Sequence, residues 1–113
     1  MMDEDRIAAF IRSFEANGDP FLARLRRTAE ERRIPILKPE TEALLSFFAE
    51  LKKPERALEI GTAIGYSGTV LLKKSAATRL FTVENDEARA SEAAENFCRG
   101  RFGPGGAFRR GRV

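Results

Sequence analysis

The amino-acid sequence predicts an α/β protein with a parallel sheet, on three observations. Ala57-Leu58-Glu59-Ile60 reads as a buried strand that enters a glycine-bearing turn, Gly61-Thr62-Ala63-Ile64-Gly65. A second such run, Leu80-Phe81-Thr82-Val83, closes on Glu84, nineteen residues beyond Gly65. Before, between and after these runs, apolar residues recur at helical spacing. A strand, a helix and a second strand in this order imply parallel pairing through a right-handed crossover.

The elements follow in turn. Residues 3 to about 15 place Ile7, Phe10, Ile11 and Phe14 on one helical face. Asn17-Gly18-Asp19-Pro20 stops that helix. A second helix covers residues 21 to about 33, with Leu22, Leu25 and Ala29 inward and its charges outward. Ile34-Pro35-Ile36-Leu37 is extended, because the residue before a proline avoids the α region. Pro39 suits the first turn of a third helix, which Lys52-Lys53-Pro54 ends. Leu44, Leu45, Phe47, Phe48 and Leu51 give that helix a broad apolar stripe. The first strand is residues 56–60, its following helix runs from 66 to about 75, and the second strand is 79–84. Asp86 caps a last helix through Ala90, Ala93 and Ala94 to Phe97.

Length and composition exclude several classes. At 113 residues the chain holds one small domain at most. Its 42% hydrophobic and 33% charged content is that of a soluble protein, and no apolar run approaches the roughly 20 residues of a membrane span. An acidic N-terminus has the wrong sign for a secretory signal, so a cytoplasmic location is expected. Cys98 is the single cysteine, which rules out an internal disulfide, and the chain has no histidine to serve as base or zinc ligand. The net charge of +3 comes from the end of the chain. Residues 98–113 hold five arginines and no acid, which leaves 15 basic and all 17 acidic residues before them, a net of −2.

The turn carries the chemistry. Gly61 and Gly65 let backbone N–H groups approach a ligand, and Thr62 and Ala63 between them count with the same surface. Glu59 at the strand end would offset an ammonium charge. Tyr66 and Ser67 open the helix, where a hydroxyl and free N–H groups bind a carboxylate. Glu84, ending the neighbouring strand, can accept hydrogen bonds from both hydroxyls of a ribose, with Asn85 beside the base. Strand-end acids around a tight turn would be the bland explanation, but the spacing of the two acids about the two glycines is specific. The pattern Glu-x-Gly-x-x-x-Gly is not the Gly-x-Gly-x-x-Gly of dinucleotide binders, which argues against a dehydrogenase fragment and for S-adenosylmethionine.

Ile36-Leu37-Lys38-Pro39-Glu40-Thr41-Glu42-Ala43-Leu44-Leu45, followed by residues 57–67 with Gly65-Tyr66-Ser67, resembles the bacterial branch of the caffeoyl-CoA and catechol O-methyltransferase-like family. The resemblance covers residues 5 to 97. It implies a Rossmann-like class I methyltransferase fold, present as its N-terminal part. It also implies cofactor contacts from Glu59, Gly61, Gly65, Tyr66, Ser67 and Glu84, with Leu37 lying over the cofactor. Family members hold a magnesium ion on aspartate and asparagine residues after their fourth strand, with a nearby lysine as base. Those positions fall beyond this chain, so no catalytic or metal-binding residue is expected within it. Lys73 and Lys74 read as solvated face, and Lys38 as a helix-start surface lysine. The implied methyl acceptor is a small catechol-like phenol or a hydroxyuridine in transfer RNA, and the implied assembly a homodimer through the N-terminal helices.

The domain plan expected is an N-terminal helical segment, 1–55, the first half of the cofactor domain, 56–97, and a tail, 98–113. The tail has five glycines, five arginines and neither structural period. It reads as a disordered basic appendage, as an arginine/glycine RNA-binding tail with two stacking phenylalanines, or, the reading favoured here, as out-of-frame translation of a GC-rich gene. Dropping one base from the Cys98 codon lets the shifted frame spell Ala-Gly-Ala-Gly-Ser-Ala-Arg-Val-Glu-Arg-Phe-Ala-Gly-Asp-Ala, a helix exit and a third strand. The function expected is that of an O-methyltransferase in catalytically incomplete form. The alternatives are a fragment that binds S-adenosylmethionine or its homocysteine product without catalysis, and an RNA-binding protein acting through the tail.

Overall fold

The computed structural model describes residues 3–13, 18–102 and 108–111. In order they form α1 (Glu4–Arg12), α2 (Pro20–Glu31), α3 (Pro39–Lys52), β1 (Arg56–Ile60), α4 (Tyr66–Lys74), β2 (Arg79–Val83), α5 (Glu87–Arg99) and β3 (Phe108–Gly111). Phe14 and Asn17, expected in the first helix and its stop signal, lie outside the described residues.

Each helix start has a local cause. Asp3 caps α1 through the Asp5 N–H, and Asp86 caps α5 through the Arg89 N–H at 2.9 Å. Asp19 accepts from the Phe21 and Leu22 N–H groups, which puts Pro20 at the first position of α2. Two exits are less ordinary. Arg33 takes a left-handed φ of 54° after α2, with Ile34 N–H donating to Ala29 C=O and Arg33 N–H to Glu30 C=O. Arg101 does the same at φ 69° after α5, with Phe102 N–H on Phe97 C=O and Arg101 N–H on Cys98 C=O. Both are Schellman closures with arginine where glycine is usual.

The sheet order is β1-β2-β3, parallel throughout, with Leu58 opposite Phe81 and Ile60 opposite Val83. β3 is an element that periodicity did not indicate. α4 sits at the centre of the packing. On one side, Tyr66 and Val70 join Leu25, Ala29, Ile34 and Ile64. On the other, Leu72 packs with Leu80, Ala93 and Phe97, and Phe102 closes over that cluster. Gly68 permits this second contact. A Cβ there would stand 2.8 Å from both Leu80 Cδ2 and Phe97 Cζ.

One expectation of burial is corrected, and the apolar stripe of α3 lies largely open. β1 is not a buried strand. Ala57 and Glu59 turn inward, while Leu58 and Ile60 are 69% and 75% exposed. On α3 only Ala49 is buried, and Leu44, Phe47, Phe48 and Leu51 are all at least half exposed. For β1 the reason is that a parallel sheet needs cover on both faces, and among the described elements the core clusters lie on one face only. Apolar surface of this extent favours self-association. The protein is therefore expected to run above monomer mass in concentration-dependent light scattering. Leu58→Thr with Ile60→Thr should shift it toward monomer without loss of helical signal, since neither side chain contributes to the core.

Lys73 and Lys74 are exposed, as expected of a solvated face, and each also makes an ion pair. Lys73 Nζ bonds Asp19 Oδ2 and lies 5.6 Å from the centre of the Phe21 ring, and Lys74 pairs with Glu50 at 3.5 Å. Together they fasten α4 to α2 and α3. The Lys73 ammonium is also the main reason that the Asp19 carboxyl lies below the usual aspartate range.

Candidate functional site

The turn between β1 and α4 is built from both strands. Gly61 and Thr62 N–H groups donate to the Val83 carbonyl at 2.9 and 3.2 Å, which stitches the end of β1 to the end of β2. Gly61 at φ 90° and Gly65 at φ 89° take conformations that suit glycine, and Ala63 between them is left-handed at φ 50°. Behind the turn, Asn96 of α5 donates to the Ile64 carbonyl at 2.8 Å. The Phe97 ring would lie 3.3 Å from a Cβ on Gly65. Asn96 and Phe97 were not among the residues that sequence reasoning marked for the site, and only the apolar spacing of α5 hinted at Phe97.

Glu59 is held between α4 and β2, and Glu84 bonds the turn itself. Ser67 Oγ donates to Glu59 Oε2, and Thr82 Oγ1 donates to Glu59 Oε1 at 2.7 Å. Thr82 has then spent its proton, so in the 2.5 Å contact with Thr62 the donor is Thr62. With Glu59 ionised, the result is a directed chain, Thr62 to Thr82 to Glu59. Burial raises the Glu59 pKa above the usual glutamate range. The Ser67 and Thr82 hydroxyls oppose that shift, and the charge of Glu84 adds to it. Glu84 Oε1 accepts from the Ala63 N–H at 3.3 Å, and its other oxygen from the Asn85 N–H at 3.1 Å. Asn85 itself is exposed.

α4 begins at Gly65 with no side chain capping its first turn, so its positive end is open toward the cleft. The Tyr66 hydroxyl takes no part there. It donates to Glu42 Oε2 at 2.5 Å, the ring is buried, and burial with the Glu42 contact pushes the phenol pKa well above its usual value. What Tyr66 and Ser67 offer at the helix start is backbone N–H groups and the Ser67 hydroxyl. Pro35, Ile36 and Leu37 face Gly61, Thr62, Ala63, Tyr66 and Ser67 across a cleft of about 230 Å³. That is smaller than the roughly 300–1,000 Å³ of a complete small-molecule site, so the cleft can receive only part of a nucleoside cofactor. A larger cleft, about 490 Å³, lies between α2 and α5 and contains none of the residues expected at the site. Of the residues expected at the site, Leu37, Gly61, Thr62, Ala63, Tyr66 and Ser67 line the smaller cleft. Glu59, Gly65, Glu84 and Asn85 do not, and the two acids reach its wall only through their bonds to Ser67 and to the Ala63 N–H.

No protein-family model matches this chain. Solved structures do. A Staphylococcus aureus protein provisionally assigned as a caffeoyl-CoA O-methyltransferase aligns with 92% of this chain at TM-score 0.80 and 25% identity. This chain has a truncated class I O-methyltransferase fold. TomG from Streptomyces achromogenes, an O-methyltransferase of tomaymycin synthesis solved with S-adenosylmethionine, aligns with 99% of it at TM-score 0.75 and 25% identity. A Bacillus cereus O-methyltransferase bound to S-adenosylhomocysteine aligns with 94% at TM-score 0.77 and 23% identity. The chain spans about half the length of these proteins, 50%, 52% and 50% respectively. The resemblance read from the sequence, to an N-terminal part of the caffeoyl-CoA O-methyltransferase-like proteins, is borne out. Among the described residues no three Cys, Asp or Glu side chains converge as a metal site, and no helix is long and apolar enough to cross a membrane.

Proposed function

We propose that this chain supplies the cofactor-binding half of an S-adenosylmethionine-dependent O-methyltransferase. The observation that supports it most is Glu59, an inward carboxylate held by Ser67 and Thr82 beside the open start of α4. An amino-acid group carries an ammonium and a carboxylate. Glu59 complements the first and the α4 N-terminus the second. Gly61, Thr62, Ala63 and Gly65 present backbone to the ligand, and Leu37 covers it from the opposite wall. Glu84 and Asn85 take the ribose and the adenine. Turning Glu84 Oε1 from the long Ala63 contact to a ribose hydroxyl costs little, because that bond is weak at 3.3 Å. Bound S-adenosylmethionine would supply the electrophilic methyl group, and these residues bind and orient it.

The acceptor in this reading is a catechol-like phenol or a transfer-RNA hydroxyuridine, oriented by magnesium on residues outside this chain. Pairing of two copies through α1 belongs with it, supported by the absence of any buried residue on that helix. Residues 1–55, 56–97 and 98–113 remain the proposed division of the chain.

Calorimetric titration of the 113-residue protein with S-adenosylhomocysteine tests the reading. Saturable one-to-one binding is expected, with no response to NAD at the same concentrations. Failure to bind S-adenosylhomocysteine, or equal binding of NAD, overturns it.

A further inference from the structure

Leu37 reaches the cleft from residues 34–38, a stretch with no helix or strand of its own. Its start is fixed by the Schellman closure at Arg33 and by Ile34 in the core, and its end by Pro39 at the head of α3. Between those points, among the described residues, one side-chain bond reaches its backbone. Arg26 Nη2 on α2 donates to the Leu37 carbonyl at 2.8 Å. The same nitrogen donates to Glu42 Oε2 on α3 at 2.8 Å, and that oxygen also accepts from the Tyr66 hydroxyl. The Arg26 guanidinium lies 4.8 Å from the centre of the Tyr66 ring. Arg26 and Glu42 are both about one-fifth exposed at the side chain, so the group is largely screened from water. Burial by itself would weaken the Arg26 charge. Glu42 and Tyr66 more than offset that and hold it firmly protonated.

We propose that Arg26 is a positioning residue for the cofactor cleft, tying the Leu37 backbone to Glu42 and Tyr66 so that the strap over the cleft and the start of α4 form one rigid jaw. The inference rests on the cofactor-binding reading of this cleft. Tyr66 and Ser67 begin the helix that the ligand meets, and Leu37 is the facing wall, so the width between them is set by this knot. Neither an ordinary surface ion pair nor a core contact explains why one guanidinium on α2 spans a backbone carbonyl, a carboxylate and a ring on three other segments. Its planar fork suits such a junction better than a flexible ammonium would.

The test uses the full chain with Arg26→Met and Arg26→Lys, read by S-adenosylhomocysteine affinity and amide hydrogen exchange. The methionine variant should weaken binding about tenfold, as loss of a charged hydrogen bond does. Exchange should speed up in residues 34–38 and stay unchanged in the middle of α4. The lysine variant, which keeps the charge but not the planar fork, should recover only part of the affinity. Unchanged affinity in Arg26→Met overturns the proposal, and so does faster exchange across α4 and the strap alike, which would mark a merely structural role. If Arg26→Met does not fold, Arg26→Gln replaces it with the same expectations. If the unmodified protein fails to bind S-adenosylhomocysteine, the cofactor reading falls. The exchange pattern still reports separately on whether Arg26 anchors the strap.

Discussion

Replacing Glu59 by glutamine should cut S-adenosylhomocysteine affinity roughly 10- to 100-fold while leaving the protein at least as stable at pH 7. The affinity loss is that of a charged hydrogen bond to an ammonium group. The stability gain follows from the burial that raises the Glu59 pKa. An acid whose pKa is higher folded than unfolded stabilises the fold while protonated. That contribution is present below the ordinary glutamate range and is lost as pH rises through the raised value. At pH 7 the ionised side chain is therefore a burden that glutamine removes. The amide oxygen can still accept from Thr82, and its NH₂ can face Ser67, whose hydroxyl turns to accept. Thermal melts from pH 4 to 8 should show the unmodified protein losing stability relative to Glu59→Gln as pH rises. Affinity of the unmodified protein should fall as pH drops through the Glu59 titration, because a neutral carboxyl no longer pairs with the ammonium. The variant should lack that slope. Unaltered affinity, or a variant that melts several degrees lower at pH 7, would mean that the carboxylate is there for the fold and not for a ligand.

The strand–turn–helix was legible because its determinants are local. Two glycines at positive φ, an acid two residues before the first, and a helix directly after the second are all neighbours in sequence. Asp86 as a cap was legible for the same reason. The Arg26–Glu42–Tyr66 knot was not, since its members lie 16 and 24 residues apart. Arg26 sits on a helix whose other charges face water, so the sequence offers nothing to single it out. The partner of the exposed Lys73 was hidden on the same logic, since Asp19 lies 54 positions earlier.

Burial failed for a different reason. Leu58 and Ile60 carry the composition of a covered parallel strand, and α3 that of a core helix. Apolar composition records what a face is suited to touch, and only the arrangement of neighbouring elements decides whether anything touches it. β3 was illegible because Phe-Arg-Arg-Gly neither alternates nor favours a strand. What places it is the free backbone edge of β2, which any four residues could pair with. The two Schellman exits were hidden likewise. Arginine at a left-handed position gives no signal where glycine would have given one.

Phe97→Ala is expected to cost about 3–5 kcal/mol, a large share of the roughly 5–15 kcal/mol that holds a domain of this kind together. Phe97 is 1% exposed and touches both halves of the problem. Its ring packs with Leu72, Leu80 and Ala93 beneath α4, and it backs Gly65 in the ligand turn. Removing it leaves a cavity under the site, so cofactor affinity should fall with stability. A size exchange tests whether the contact with Gly68 sets how closely α4 approaches β2. Gly68→Ala alone forces a Cβ into the space of Phe97 Cζ and Leu80 Cδ2, and overpacking of that kind costs about 1–3 kcal/mol. Against a Phe97→Leu background the same alanine should cost less, because the shorter side chain withdraws from the position that the ring occupied. Urea denaturation of the four proteins gives the coupling directly. Costs that simply add would place the tight contact elsewhere, with Leu80 as the remaining neighbour, and Phe97 would then be an ordinary core residue unconnected to the turn.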